Sequence, residues 1–319
     1  MSTNFNVDCE WLLQGDPWVT YNTLKTLLEM KEDAPEVGNA RTSMIEHPLV
    51  KGFIEELKEW PLYPLKRHND AKHPIHHLAV LADFGVTAHD LDKEIIQRIL
   101  SYQSDEGAFE IDLLIPTHFG GSGNPERMWM ACDAPLILYS LLKMGVHGPE
   151  IQKAVAHLGS LVTDTGVLCT GSSPMRGPGR KDDFCPYATL LVARALTQIP
   201  NVKNEAEKCT DQLLYHWEHQ KERKLYLFGI GTDFRKLKYP CVWYDILHVA
   251  EVLSQYDFLK GDDRLKEIVD IIVSKQDEKG LITPESVWMA FKGWDFGQKK
   301  APSHWMTFQV ARILRRLSR

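Results

Sequence analysis

No uninterrupted apolar run in the sequence approaches the roughly 20 residues that a membrane-spanning helix needs, so no such span is expected. Met1 to Glu10 contains no basic stretch followed by an apolar one; no secretory leader is expected, and the chain reads as cytoplasmic. No basic stripe offsets the net charge of −6, which argues against a nucleic-acid partner. None of the six cysteines (Cys9, Cys132, Cys169, Cys185, Cys209 and Cys241) forms a Cys-x-x-Cys pair. Scattered in this way they read as buried fillers or single ligands, not as a disulfide framework. Gly120-Gly-Ser-Gly123 is followed by no Gly-Lys-Ser/Thr, so it is not a phosphate loop. Gly-x-Ser-x-Gly and His-Glu-x-x-His are both missing, which removes the hydrolase elbow and the zinc-protease helix. No linker or low-complexity stretch breaks residues 1–319, so one domain is expected.

What the chain does have is a repeat. Pro17, Pro74, Pro135, Pro186, Pro240 and Pro302 each stand just before an apolar helical pattern, at spacings of 57, 61, 51, 54 and 62 residues. Proline in a first helical turn loses no hydrogen bond and presets φ, so these positions predict helix starts. The segments that follow, such as Tyr187-Ala-Thr-Leu-Leu-Val-Ala-Arg-Ala-Leu, are apolar nearly all round, which marks helices buried on every side. Between them 43–60, 91–102, 150–161, 204–217 and 263–274 place apolar residues at i, i+3, i+4 and i+7, so each buries one stripe. The period exceeds the roughly 34–47 residues of the common helical solenoids. Inner and outer helices in alternation predict an all-α (α/α)6 toroid around a central cavity, with an open solenoid as the alternative. The long segments 107–128, 163–185, 224–240 and 280–302 run from outer helices back to inner ones and are expected on one rim.

Gln103-Ser-Asp-Glu-Gly-Ala-Phe and Gln276-Asp-Glu-Lys-Gly-Leu-Ile follow outer helices, with Thr163-Asp-Thr-Gly-Val as a third such turn. These turns and the helix alternation resemble the terpenoid cyclase and protein prenyltransferase toroid superfamily, and in particular the Gln/Gly/aromatic repeat of squalene–hopene cyclases. The resemblance implies an apolar central cavity and an enzyme acting on a small apolar or isoprenoid-like molecule. Some glycosidases and polysaccharide lyases also use α/α toroids, so a carbohydrate-active enzyme stays open, as does a non-catalytic scaffold binding a ligand or a protein. The Asp-x-Asp-Asp acid motif of class II cyclases is missing; Asp182-Asp183 and Asp90-Leu-Asp92 are the nearest fragments. Prenyltransferases hold zinc with Asp-x-Cys at the start of one inner helix and a His at the start of the next; here that next position falls on Cys241 or Val242, and His304 stands at the right depth one inner helix further on. The resemblance therefore implies zinc as cofactor, with Asp183, Cys185 and His304 as ligands. In the alternative, Asp183 caps a helix and Cys185 fills a small space.

The residues themselves point to the inner-helix N-termini. These carry His73, His76 and His77; Cys132 and Asp133; Asp183, Cys185 and Tyr187; Cys241, Trp243, Tyr244, Asp245 and His248; and Ser303, His304 and Trp305. In a toroid they converge on one mouth, where helix N-termini favour an anionic head group. Lys66, Arg67, Arg127, Arg176, Arg180, Lys181, Arg235, Lys236 and Lys238 lie in the rim segments and would strengthen that field. Asp245 and His248, three apart, would share a helical face as an acid/base couple, or simply pair with each other. The expected catalytic groups are Asp183, Asp245 and His248. The expected substrate contacts are His76, Asp133, Tyr187, Trp243, Tyr244, Trp305, Arg235 and Lys236.

Overall fold

The computed structural model describes residues 7–172, 183–222 and 228–318. Arg176, Arg180, Lys181 and Asp182, named above on sequence grounds, lie outside them. Among the described residues the chain forms fourteen α-helices and two short antiparallel hairpins, and no helix is long and apolar enough to cross a membrane. The helices are α1 (Cys9–Leu12), α2 (Pro17–Asn22), α3 (Pro35–Glu46), α4 (Pro48–Leu57), α5 (Pro74–Phe84), α6 (Lys93–Leu100) and α7 (Ala134–Lys143). They continue with α8 (Pro149–Ser160), α9 (Pro186–Leu196), α10 (Lys203–Glu218), α11 (Thr232–Arg235), α12 (Ile246–Leu253), α13 (Asp263–Val273) and α14 (His304–Ser318).

The proline signal places α2, α5, α7 and α9 correctly, each with proline in its first turn. Burial separates the two helix sets as their patterns require. Every residue of α5 and α9 is buried, whereas α6 buries Ile95 and Ile99, α8 buries Ile151, Ala154 and Leu158, and α13 buries Leu265, Ile268, Val269 and Ile272. Two expectations fail. The helix expected after Pro240 starts at Ile246, because Asp245 is its N-cap and Cys241–Tyr244 is not helical. The outer helix expected over 43–60 is two helices: Pro48 disfavours the α conformation at His47, whose ψ is 133°, and α3 ends there.

The chain divides into two compact units, although its repeat reads as one domain. One is nearly continuous, Gly52–Ile230 with Val242–Tyr244; the other gathers Met1–Lys51, Gly231–Cys241 and Asp245–Arg319. In the continuous unit the inner helices pack in chain order, α5 on α7 and α7 on α9, with α8 against α7 and α10 against α9. Its rim segment 107–128 holds the hairpin β1 (Ile111–Leu114) and β2 (Pro125–Met128), with Ile111 opposite Met128 and Leu114 opposite Pro125. A smaller hairpin, β3 (Val162–Thr163) with β4 (Gly166–Val167), follows α8. In the discontinuous unit α12 packs on α14 and on α13, and α14 packs on both α1 and α2.

One docking device recurs in both units. After β3 the chain turns through Gly166, which sits at φ 85°, and the Val167 N–H donates to Thr189 Oγ1 on α9 at 3.0 Å. The Cys185 N–H then donates to the Val167 carbonyl at 2.7 Å, fixing the start of α9. After α13 the chain turns through Gly280, at φ 77°, where Gln276 Nε2 donates to the Gly280 carbonyl at 3.0 Å. The Ile282 N–H donates to Thr307 Oγ1 at 2.9 Å, and the Ser303 N–H to the Ile282 carbonyl at 2.8 Å. Gln103 makes the corresponding bond to the Gly107 carbonyl at 2.9 Å and adds one to Glu150 at 2.7 Å. The Gln and Gly of the repeat are thus turn residues: glycine supplies positive φ and glutamine occupies its carbonyl.

The residues that immediately precede the inner helices are Asp16, His73, Asp133, Cys185, Asp245 and Ser303. They stand 57, 60, 52, 60 and 58 residues apart, a more even series than the prolines.

Candidate functional site

Four of these six positions do what an N-cap does. His73 accepts from the Ile75 N–H, Cys185 from Ala188, Asp245 from His248 and Ser303 from Met306. Asp16 and Asp133 make no such bond. Asp133, 1% exposed, instead receives His68 Nδ1 at 3.0 Å on each carboxylate oxygen. His68 stands in the segment between α4 and α5, 65 residues away in sequence.

That segment is stitched down from several sides. Leu65 bonds backbone-to-backbone with Asp112 and Leu114 of β1. His73 Nε2–H donates to the Tyr63 carbonyl, and His76 Nε2–H to the His68 carbonyl, both at 2.9 Å. Burial, opposed by the bond to His68, drives the His76 pKa down to about 3, so its ring is neutral and serves as a strut. His76, expected above as a substrate contact, commits its Nε2 to the His68 carbonyl. His77 is similarly engaged, with Glu56 at 2.6 Å and in a stack on Phe53.

Around His68 lie two cysteines. Burial works against protonation of the imidazole, but the charge and hydrogen bond of Asp133 prevail and hold its pKa above the ordinary value; Cys185 adds to this. The Cys185 thiol is shifted the other way. The Cys132 hydrogen bond lowers its pKa most, burial opposes, and the Ala188 and Tyr187 N–H groups and the His68 charge reinforce the drop. This is the chemistry of a thiolate at a helix N-terminus: backbone N–H groups and a neighbouring cation favour the anion. Cys132, which gives the hydrogen bond, is held well above the ordinary thiol range. By contrast burial, with the Glu205 charge adding and Lys208 opposing, pushes Cys209 up to about 12. His68 keeps 26% of its side-chain surface, while Cys185 and Cys132 are buried.

Beside this group, Tyr187, Trp243, Phe228 and Tyr244 form an aromatic cluster. Tyr187 packs on Trp243 at 4.8 Å, Phe228 on Trp243 at 5.2 Å and Phe228 on Tyr244 at 5.7 Å between ring centroids. Tyr187 OH donates to the Val242 carbonyl at 2.8 Å, and Tyr244 OH shares a 2.9 Å hydrogen bond with His216 Nδ1. The continuous unit therefore brings together Asp133, Cys185, Tyr187, Trp243 and Tyr244 of the sequence-derived set. It adds His68 and Phe228, which no periodic pattern marks. Asp183 lies half-buried two residues before Cys185, and Cys185, not Asp183, caps α9.

The rest of the expected set sits in the discontinuous unit and behaves differently. Asp245 and His248 meet through the backbone: Asp245 Oδ1 accepts the His248 backbone N–H at 3.0 Å. Asp245 is fully buried, and its Oδ2 has no hydrogen-bond partner among the described residues. Burial raises its pKa to about 6, against a lowering by Lys238 and by the His248 and Leu247 N–H groups. Trp305 is core, packed on Tyr239 and Phe308. Its backbone N–H donates to Asp295 Oδ2, which also takes the Ser303 hydroxyl. His304 stacks on Trp11 at 3.9 Å between ring centroids. The rim cations are engaged locally: Lys236 with Asp233 at 2.6 Å, Arg235 with the Gly231 carbonyl at 3.4 Å, Lys238 over the Trp288 ring. In the continuous unit Arg127 lies over the Tyr102 ring.

Among the described residues no group of three or more His, Cys, Asp or Glu side chains that could hold a metal ion is found. Comparison with protein-family models and with curated proteins found no match to the chain.

Proposed function

We propose that the protein is an enzyme that works through a Cys185 thiolate, with His68 as its proton-exchanging partner and Asp133 as the group that orients and charges His68. The observation that carries this reading is the diversion of Asp133. It leaves the start of α7 without a side-chain cap, at a cost of about 1 kcal/mol, in order to hold an imidazole beside a cysteine. With Nδ1 committed to Asp133, His68 has Nε2 left for proton exchange. The thiolate attacks an electrophilic carbon, that carbon's bond to its leaving group breaks, and the leaving group departs with a proton from His68; a second nucleophile, giving its proton to His68, then takes the carbon from the thioester and Cys185 leaves as the thiolate. The aromatic cluster of Tyr187, Phe228, Trp243 and Tyr244 suits an apolar chain carrying that carbon, acyl or isoprenoid.

The test is thiol chemistry resolved by residue. Iodoacetamide labelling of the native protein across pH, read by peptide mass spectrometry, should modify Cys185 at least about ten-fold faster than Cys209 at neutral pH. His68→Gln and Asp133→Asn should move the Cys185 profile to higher pH. An activated acyl ester should leave its acyl group on Cys185 in the wild type. A Cys185 no more reactive than Cys209 would sink the proposal and leave a binding scaffold.

A second reading rests on Asp245. Class II terpenoid cyclases need a carboxylic acid kept protonated, and a buried carboxyl with one unpartnered oxygen and a pKa near 6 is of that kind. The (α/α)6 toroid belongs to the same reading. In its support, the first and last inner helices, α2 and α14, pack together, whereas an open solenoid would hold them apart. Small-angle scattering checks this: a closed ring should give a radius of gyration of about 20 Å, and a clearly larger value would favour the solenoid.

A further inference from the structure

Of the six residues that precede the inner helices, two leave their helix uncapped, and only one of the two has another partner. Asp133 turns to His68. The half-buried Asp16 carboxylate has no hydrogen bond or ion pair among the described residues. It lines an open cleft of about 550 Å3 within the discontinuous unit, between the turn before α2, the junction of α3 with α4 and the segment leading into α14. Small-molecule sites span roughly 300–1,000 Å3, so the cleft has room for a ligand. Asp295, His47, His304 and Trp294 line it together with Asp16. The turn before α2 is pressed against His304: a Cβ on Gly15 would come within 2.7 Å of the His304 Cβ.

We propose that this cleft binds a small organic ammonium ion, with Asp16 as its counter-ion and the Trp294 indole against its carbon skeleton. The proposal does not depend on the function argued above, whose residues belong to the other unit. Charge decides the class of ligand. Two carboxylates line the cleft and, among the described residues, no lysine or arginine does. An anion would also find the donors at the start of α14 spent. Asp295 takes the His304 N–H at 3.2 Å, the Trp305 N–H at 2.9 Å and the Ser303 hydroxyl at 2.7 Å, and Ser303 Oγ takes the Met306 N–H at 3.1 Å. Asp295 is thereby committed to its own turn, which leaves Asp16 as the open acceptor. A carboxylate drawn partly out of water beside a second one is costly until a cation joins it.

The walls suit such a ligand. Trp294 is fixed between Trp18 at 5.0 Å and Phe296 at 5.6 Å between ring centroids, so its ring is held ready for a cation or for the carbon chain that carries it. His304 is held flat against Trp11, and its Nδ1 lies 3.9 Å from Asp295 Oδ1. His47 Nδ1 accepts the Leu49 N–H at 3.3 Å, which ties that ring to the start of α4. Burial and the Asp295 charge push the Asp16 carboxyl above its ordinary value, with His47 and His304 opposing; a bound cation would reverse that shift. A second cleft that His304 lines, of about 590 Å3, lacks an acceptor of this kind. There Asp277 spends Oδ1 on the Lys279 and Leu281 N–H groups, and Lys279 itself forms part of the wall.

The experiment titrates benzylamine into the full chain and follows it by ligand-observed NMR, beside benzyl alcohol, which has the same ring and no charge. Benzylamine should bind saturably and at least about ten-fold tighter than the alcohol. Asp16→Asn should bring the two to equal affinity. Because the Asp16 side chain makes no cap bond, that variant should keep the wild-type unfolding midpoint. Asp277→Asn, in the second cleft, should leave the preference for the amine intact. On the wild-type chain, carbodiimide coupling of bound benzylamine should place its amide on Asp16 in peptide maps. The proposal is overturned if the alcohol binds as well as the amine, if the preference survives Asp16→Asn, or if the amide forms on other carboxylates and not on Asp16. The first and last of these need no variant to fold.

Discussion

Helix α9 in the continuous unit and helix α14 in the discontinuous one are built to the same plan. Each begins after a residue whose side chain accepts the N–H three positions on, Cys185 from Ala188 and Ser303 from Met306. Each carries a threonine four residues after that cap, receiving the N–H of the preceding turn. Each buries an arginine nine residues after the cap. Arg194 meets Asp83 at 2.7 Å and lies over the Tyr139 ring; Arg312 meets Glu251 at 3.0 Å and lies over the Phe308 ring. The difference lies at the cap. Ser303 gives its hydroxyl to Asp295, a bond that only organises the start of α14. Cys185, accepting at the longer distance of 3.5 Å, is the weaker cap, and the neighbouring Cys132 and His68 lower its pKa. A sequence that can write serine at this position, and does so in one unit, has cysteine in the other where the neighbours activate it.

The arginines give the strongest way to break the comparison. Removing one partner of a buried ion pair leaves a buried charge uncompensated, which costs about 3–5 kcal/mol. Arg194→Ala and Arg312→Ala should each lose about 2–3 kcal/mol in urea unfolding, short of the full scale because Lys143 still pairs with Asp83 and Arg316 with Glu251. Replacing Asp83 and Arg194 together by leucine should recover most of the loss. If either single variant loses less than about 1 kcal/mol, the two helices are not held alike.

Asp245 sharpens the comparison through pH. Its carboxyl holds a proton more tightly in the fold, at about 6, than in the unfolded chain, near 3.8. The folded protein is therefore favoured below about pH 4 and loses about 3 kcal/mol of stability as pH climbs through 6. Asp245→Asn keeps the cap oxygen and cannot ionise, so its stability relative to wild type should rise over that window. A difference independent of pH would mean that Asp245 is not protonated in the fold, and the acid reading would go with it.

The reciprocal cap exchange has the smallest expected effect. Cys185→Ser should change stability by no more than about 1 kcal/mol, in either direction, while removing the reactive thiol. Ser303→Cys should cost about 1 kcal/mol and create no fast-labelling cysteine, because Asp295 repels a thiolate where His68 attracts one. If the thiol introduced by Ser303→Cys labels as fast as Cys185, a helix N-terminus alone makes the site.

Much of this was legible before the structure. Proline in a first helical turn is a local signal, and it located α2, α5, α7 and α9 because nothing distant overrides it. It failed at Pro240, where a five-residue non-helical stretch intervenes and Asp245 sets the start of α12. It was overlooked at Pro48, which divides an apolar pattern continuous by periodicity. The four-residue strands of β1 and β2 are too short to show alternation against a loop background. Cys185 and Asp133 stood out by position alone. His68 did not, since it belongs to an irregular segment and takes its role from a contact 65 residues away, held in place by two other histidines. Asp295 escaped notice for the same reason.

The packing of α14 on α1 and α2 has a consequence for how the chain is made. On a ribosome, residues 9–27 emerge long before 304–318; α3 can cover α2 as soon as it follows, but the faces of α1 and α2 that meet α14 stay uncovered until that later segment has left the exit tunnel. The unit spanning 52–230 has nearly all of its own residues available well before that. Those faces of α1 and α2 must therefore wait while the whole of the intervening chain is made.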